Sequence, residues 1–254
     1  MDYSNYIEHY KKDAETYQYQ QPFDSVAGQV SRRRAEFILR LLDKRLLLPG
    51  AHIVDIGTGG GEQIRELMKK GLSPIGLDIA IRNLQTISET LPRENKDSFH
   101  LICGDAYALP FKDASLDCLI FSEVFEHLGR PGDALQEAAR VLKPDGKLII
   151  SVPYKEKIVY HLCIHCNRLT PSNAHLHSFD KNTMRDLLQN LPLSIESEKF
   201  FHNKILNMMG CIYTLRHFPY SIWRIVDGLA NALFKKPYYY TLIIRKQLNH
   251  LPSH

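Results

Sequence analysis

The chain has 254 residues, 44% apolar and 24% charged, which suits a protein with a buried core and excludes a disordered one. Its 32 basic and 28 acidic residues leave a net charge of +4, too small to argue for nucleic-acid binding by itself, although it does not exclude it. The 5 cysteines are odd in number and scattered, so no disulfide framework is expected and a reducing cytosol (a cytoplasmic location) is the expected compartment.

Met1 to Gln21 is polar and tyrosine-rich, without the apolar run of a signal peptide. No window approaches the ~18 uncharged apolar residues of a spanning helix. Within residues 1–31, Ile7, Tyr10 and Ala14 stand at helical spacing and predict one or two short helices, as a cap or as a surface helix. Ala35, Ile38, Leu41 and Leu42 predict a helix over residues 32–48. The run Arg32-Arg33-Arg34 at its start reads as a solvated helix end. Pro49-Gly50 stops that helix.

Residues 53–56 predict a short buried strand that carries Asp55. Gly57-Thr58-Gly59-Gly60-Gly61 follows, and then a helix with Ile64, Leu67 and Met68 on one face. Strand, glycine turn and helix bring backbone N–H groups close to a negatively charged ligand group. The dinucleotide pattern G-x-G-x-x-G fails, because Glu62 stands where its third glycine belongs. That speaks against a nicotinamide oxidoreductase.

A second strand over residues 74–78 ends in Asp78, placed to accept ribose hydroxyls at the carboxyl end of a parallel sheet. Ile81, Leu84, Ile87 and Leu91 predict the next helix. A third strand over residues 99–103 runs into Gly104-Asp105-Ala106, and a fourth over residues 118–121 runs into Ser122-Glu123. Pro131-Gly132 opens a helix, and Pro144-Asp145-Gly146 turns it into a fifth strand.

These blocks, in this order over roughly residues 50–153, resemble the class I S-adenosylmethionine-dependent methyltransferases, nearest the subgroup that includes quinone-biosynthesis enzymes. The acid-strand-turn Asp55 with Gly57, Gly59 and Gly61, and the block Gly104-Asp105-Ala106-Tyr107-Ala108-Leu109-Pro110-Phe111, carry the resemblance. It implies a doubly wound α/β fold with a seven-stranded, mostly parallel sheet and helices on both faces. It implies S-adenosylmethionine as cofactor, held by Asp55, Gly57, Thr58, Gly59, Gly61, Asp78, Ile79, Asp105, Ala106 and Ser122. Asp105 would meet the adenine amino group and Ala106 a ring nitrogen.

The loop after the fourth strand faces the methyl group in such folds, so Glu123 and His127 are the candidate catalytic residues. Glu123-x-x-Glu126-His127 is also similar to a motif of small-RNA 3′-end methyltransferases and some quinone O-methyltransferases, where it holds a divalent ion. The same letters occur in relatives without metal, and both meanings stand at this point.

Residues 154–178 form a Cys/His loop in which Cys163, Cys166, His175 and His177 offer the four soft ligands of a tetrahedral zinc site. A plain connecting loop is the alternative. A third reading lets His175 or His177 join Glu123, Glu126 and His127 around a different metal.

Asp180 caps a helix over Met184, Leu187 and Leu188, and residues 193–201 predict strand six. An apolar, aromatic, helical insertion over residues 203–236 precedes strand seven, with Trp223, Val226, Ala230 and Leu233 on one helical face. It reads as a helix packed on the core or a dimer contact, or else as a cover or peripheral membrane contact for a lipophilic acceptor.

The whole chain reads as a single domain. Its expected function is methyl transfer to a small-molecule or lipophilic acceptor. The alternatives are a metal-assisted RNA 3′-end methyltransferase and a non-catalytic cofactor-binding module. The sequence leaves the acceptor and the oligomeric state open.

Overall fold

The computed structural model describes residues 6–16, 25–91, 98–164, 167–211, 215 and 217–248. Seven strands form one sheet in the order β3-β2-β1-β4-β5-β9-β8. They are β1 (Ile53–Ile56), β2 (Ile75–Asp78), β3 (His100–Cys103), β4 (Leu116–Ser122), β5 (Leu142–Pro153), β8 (Leu193–Asn203) and β9 (Pro237–Lys246). The first five pair in parallel, while β9 runs antiparallel to β5 and β8 antiparallel to β9. The doubly wound sheet expected from the sequence is therefore present.

Alternate residues of the central strands feed two cores. Val54, Ile56, Leu119, Phe121, Leu148 and Ile150 join one cluster with α5 (Pro131–Val141) and α6 (Lys181–Leu188). Ile53, Cys118, Ile120 and Ile149 join the other with Ile38 and Leu39 of α2 (Val26–Leu39) and with Leu67 of α3 (Glu62–Met68). Each such fully buried side chain contributes roughly 1.5–3 kcal/mol relative to exposure. Both faces of β1 and β4 are thereby fixed, and with them the level at which their carboxyl ends emerge. α4 (Ile81–Thr90) follows β2 and packs Ile87 against Ile64 of α3.

Three expectations need correction. The predicted 32–48 helix is α2, which begins earlier at Val26 and ends at Leu39. Ser25 caps it by accepting from Gly28 N at 3.0 Å, and the chain continues in turns through residues 40–50. The arginine run is not a solvated end. Arg33 is 7% exposed and donates to Phe218 O at 2.8 Å, because residues of the insertion pack over it. The expected loop over residues 154–178 contains a hairpin, β6 (Tyr160–Leu162) with β7 (Leu169–Pro171), which forms its own small sheet.

The insertion includes α7 (Lys204–Met208) and α8 (Tyr220–Phe234). On α8 the inward face is Trp223, Asp227 and Ala230, whereas Leu233, expected beside Trp223, is 74% exposed. An acid takes the inward position because Asp227 accepts from the His202 and Asn203 backbones at 3.0 and 2.7 Å, at the end of β8. α1 (Tyr6–Thr16) precedes α2 and reaches over the carboxyl edge of the sheet.

Candidate functional site

The carboxyl ends of β1, β2 and β3 lie side by side, and each is followed by residues singled out from the sequence. Asp55 sits within β1, 3% exposed. Burial, reinforced by the charges of Asp78 and Glu62, pushes its carboxyl up to about 7. The turn after β1 uses positive φ at Gly57, Gly59 and Gly61, at +65°, +49° and +79°. Those are values that a side chain with a Cβ resists. The buried Thr58 side chain in this turn opposes the rise in the Asp55 carboxyl.

Asp78 braces the turn from the end of β2. Its Oδ2 accepts from Gly59 N at 3.0 Å and Asn83 Nδ2 at 3.2 Å, and its Oδ1 accepts from Ala80 N at 2.9 Å. Of about four lone-pair sites on a carboxylate, three are thus in use. Ile79 follows and uses its carbonyl to accept the Cys103 thiol at 3.6 Å. Beyond β3, Asp105 accepts from Tyr107 N at 3.0 Å, and the Tyr6 hydroxyl of α1 donates to its other oxygen. Ala106 is partly buried beside it and packs against the main core.

The loop after β4 abuts this turn. Ser122 ends β4 opposite Ser151 of β5, and a Cβ at Gly57 would come within 2.6 Å of Val124 Cγ2. The side chains that flank Val124 carry the chemistry. Glu123 has φ of +60°, Oε2 3.6 Å from Arg34 Nη1, and Oε1 buried without a partner. Burial raises its carboxyl to about 7, against the opposing pull of Arg34. Glu126 is fully buried with neither oxygen partnered, and burial, then the charge of Glu123, raises its pKa well above the ordinary range. His127 has its Nδ1 buried and unpartnered. Burial, then the neighbouring His175, holds its pKa down to about 4, so the ring is neutral at pH 7.

His175 comes to this loop from beyond the hairpin. The Glu126 carbonyl accepts from Leu176 N at 2.7 Å, which ties the two segments together. The His175 ring meets His127 edge-on with centroids 4.8 Å apart, and its Nδ1 bonds Glu156 Oε2. Glu126, His127 and His175 each offer a ligand atom, and these atoms lie within 4.8 Å of one another.

Residues 54–150 match the family described as "Methyltransferase domain". Over those residues, fewer than half of the chain, it is similar to that family. Among curated proteins it is similar to an uncharacterized 37.1 kDa protein in transposon TN4556 of Streptomyces fradiae, 36% identical over 48% of this chain and 35% of that protein. It is also similar to a demethylmenaquinone methyltransferase of Renibacterium salmoninarum, 32% identical over 41% of this chain and 42% of that protein. The chain thus spans less than half the length of these curated relatives. Among solved structures it shares its fold with the methyltransferase chain in a complex with the Trm112 activator of Haloferax volcanii. That match has a TM-score of 0.62 at 19% identity and covers 97% of this chain and 98% of that one.

Within residues 54–150, Asp78 meets the glycine turn after β1, and Asp55 and Asp105 lie in β1 and just after β3 of the same sheet. The four expected zinc ligands do not all meet among the described residues. Cys163 sits at the turn of the hairpin, His177 Nε2 is 2.8 Å from Leu128 O, and His175 faces Glu156 and His127. Cys166 lies outside the described residues. Sequence reasoning missed Arg34, Glu156 and the hydroxyls of Tyr6 and Tyr10 as site residues. Tyr10 donates to His127 O at 2.6 Å, and Arg34 donates to the Tyr239 hydroxyl at 3.0 Å. The helical spacing of the tyrosines was a signal for α1, but nothing in it named their partners.

Proposed function

We propose that this protein transfers the methyl group of S-adenosylmethionine to a small or lipophilic acceptor. The observation that carries the reading is that Asp55, Asp78 and Asp105 stand in, at the end of and just after the neighbouring parallel strands β1, β2 and β3, with Asp78 holding the Gly59 N–H of the turn after β1. When bound, the cofactor supplies a sulfonium methyl group open to in-line displacement.

The chain's own residues then bind, orient and exclude water. Asp55 offers a carboxylate to the ammonium of the methionine part, and Asp105 one to the adenine amino group. The turn backbone approaches the ligand closely because no Cβ intervenes. Tyr6 and Tyr10 hold α1 over the site through Asp105 and His127. Alignment of acceptor and methyl carbon can supply much of the rate in such a displacement. Neutral His127 and the raised carboxyl of Glu123 are the groups in reach of an acceptor that must lose a proton.

A lipophilic acceptor is supported by the outer face of α8, where Ile225, Leu229 and Leu233 are 64%, 67% and 74% exposed. The name of the similar demethylmenaquinone methyltransferase points the same way. Among the described residues no helix is long and apolar enough to cross a membrane.

Calorimetry with S-adenosylhomocysteine tests the pocket. Mass spectrometry of S-adenosylhomocysteine released from S-adenosylmethionine, with and without lipid-extract and RNA acceptors, tests turnover. Binding with acceptor-dependent release is expected. Binding without release from any acceptor pool would support a non-catalytic module, and release only with RNA would support the RNA-end reading. No binding at all would overturn the assignment.

A further inference from the structure

Most of the large apolar side chains that the described residues leave exposed belong to two stretches of the chain. On α8, Ile225, Leu229, Leu233 and Phe234 face outward, and on α7 Met208 and Met209 are 86% and 70% exposed. The β6–β7 hairpin and the residue before it add Val159, Leu162, Ile164 and Leu169, all exposed. Single exposed apolar residues are ordinary, whereas a run of them on adjoining elements marks a surface that something covers.

The two stretches meet at the carboxyl edge of the sheet. Lys204, the first residue of α7, donates its ammonium to Tyr154 O at 3.2 Å and its backbone N–H to Lys236 O at 2.9 Å. Tyr154 N donates to Tyr238 O at 2.8 Å, and Tyr154 leads directly into the hairpin. Asn203, which ends β8, donates to Asp227 and Asn231 of α8 at 2.7 and 2.9 Å, so the C-terminal half of that helix stands level with the strand ends. At the foot of the hairpin Glu156 holds His175 beside His127, which puts the candidate site at the same edge.

Charge indicates what covers this surface. Residues 155–171 hold three lysines or arginines and one acid, and residues 204–236 hold five and one. In the rest of the chain acids slightly outnumber bases. Both acids of the two stretches turn inward. Glu156 is bonded to His175, and buried Asp227 accepts from the His202 and Asn203 backbones and pairs with Arg224 at 2.9 Å. Lys157, Arg168, Lys235 and Lys236 stand exposed. A second copy of the chain would bring no exposed acid from this face to meet them. An anionic lipid surface answers both features, because apolar side chains enter the acyl boundary while lysine stems lie along it with their ammonium groups at the phosphates. We propose that the β6–β7 hairpin and the outer faces of α7 and α8 dock this protein on the surface of an anionic membrane. Docking turns the carboxyl edge of the sheet to the bilayer. A lipophilic acceptor would then reach the site from the acyl boundary without crossing water, a step that rests on the proposed methyl transfer.

The test is flotation of the full chain with vesicles of phosphatidylcholine, alone or mixed with an equal part of phosphatidylglycerol. Wild type should prefer the mixed vesicles at least ~10-fold at low salt, and the preference should fall as salt rises. Lys235→Ala with Lys236→Ala should weaken that binding about 5-fold for each lysine lost. Leu229→Ser with Leu233→Ser should weaken it at least ~10-fold, with circular dichroism spectra unchanged. Leu48→Ser, exposed ahead of β1, should leave it unchanged. Wild type that floats with neither vesicle, or with both equally, would overturn the proposal. So would a dimer by light scattering that Leu229→Ser with Leu233→Ser converts to monomer while neither form binds vesicles, since the face would then cover a second copy. Calorimetry with S-adenosylhomocysteine on the same samples separates the two readings. Vesicle binding without cofactor binding would remove the methyl-transfer role and leave the membrane face. Cofactor binding without vesicle binding would do the reverse.

Discussion

Replacement of Asp78 by alanine tests the cofactor turn most directly. Its carboxylate accepts three hydrogen bonds, from Gly59 N, Ala80 N and Asn83 Nδ2 at 3.0, 2.9 and 3.2 Å. Hydrogen bonds to a charged group contribute ~1.5–3 kcal/mol each, so the three together contribute on the order of 4.5–9 kcal/mol. Burial works against them, since Asp78 is 5% exposed and its pKa is raised by desolvation. The net loss in Asp78→Ala is then about 2–4 kcal/mol. That loss falls on the turn that cofactor binding requires, and ~1.4 kcal/mol is tenfold in affinity, so S-adenosylhomocysteine should bind roughly 30–1,000-fold more weakly. Thermal unfolding should drop by about 5–15 °C, at ~2–4 °C per kcal/mol for a chain of this size. Asn83→Ala removes one of the three donors and should cost only about 1 kcal/mol, which keeps a folded variant for comparison. Calorimetry at a temperature where both variants are folded provides the readout. Affinity within threefold of wild type in Asp78→Ala would refute the brace.

Three further outcomes are expected. Gly59→Val forces a β-branched residue to φ of +49° and should cut S-adenosylhomocysteine affinity at least tenfold, with unchanged calorimetric affinity counting against the pocket. Asp55, raised from 3.8 to about 7 by burial, holds its proton in the empty protein below that pH. A bound ammonium favours its ionised form. Affinity should therefore rise as pH climbs toward about 7 and level off above it, with proton release on binding in that window; a pH-independent affinity from pH 5 to 8 would contradict the ion pair. By the same sign, a folded state that holds this extra proton loses stability as pH rises from 3.8 through about 7. Arg34→Met removes the cation shared by Glu123 and the Tyr239 hydroxyl, and should lower stability by about 2 kcal/mol in denaturant titration. An unchanged midpoint would show that the pair contributes nothing.

The sheet and its glycine turn were legible because their signals are local. Ile53–Ile56 is an apolar run, and the glycines stand where backbone must take positive φ. Pro131 opens α5 and Asp180 caps α6, both within one helical turn of the residues they serve. The arginine run failed for the opposite reason. Helical spacing describes α2 alone, whereas Arg33 and Arg34 are answered by Phe218 and Tyr239, 185 and 205 residues away. The face of α8 was misjudged at Leu233 for a related reason. Asp227 reads as an outward charge, but the strand end it caps draws it inside and turns the helix accordingly.

The acceptor side shows most clearly what periodicity omits. His175 was grouped with Cys163, Cys166 and His177 because the four stand close along the chain. In the fold it is Leu176 N, bonded to the Glu126 carbonyl, that decides where the histidine goes. Glu156 then completes its orientation from before the hairpin. The hairpin itself carries Cys163 to its turn, apart from the segment that returns to the sheet. The reach of α1 has the same character, since Tyr6 meets Asp105 and Tyr10 meets His127 across 99 and 117 residues. One helix thus touches both the acid expected at adenine and the loop expected at the acceptor. Neither contact has a local signature, so the motifs could name the residues of each half without showing that a single helix joins them.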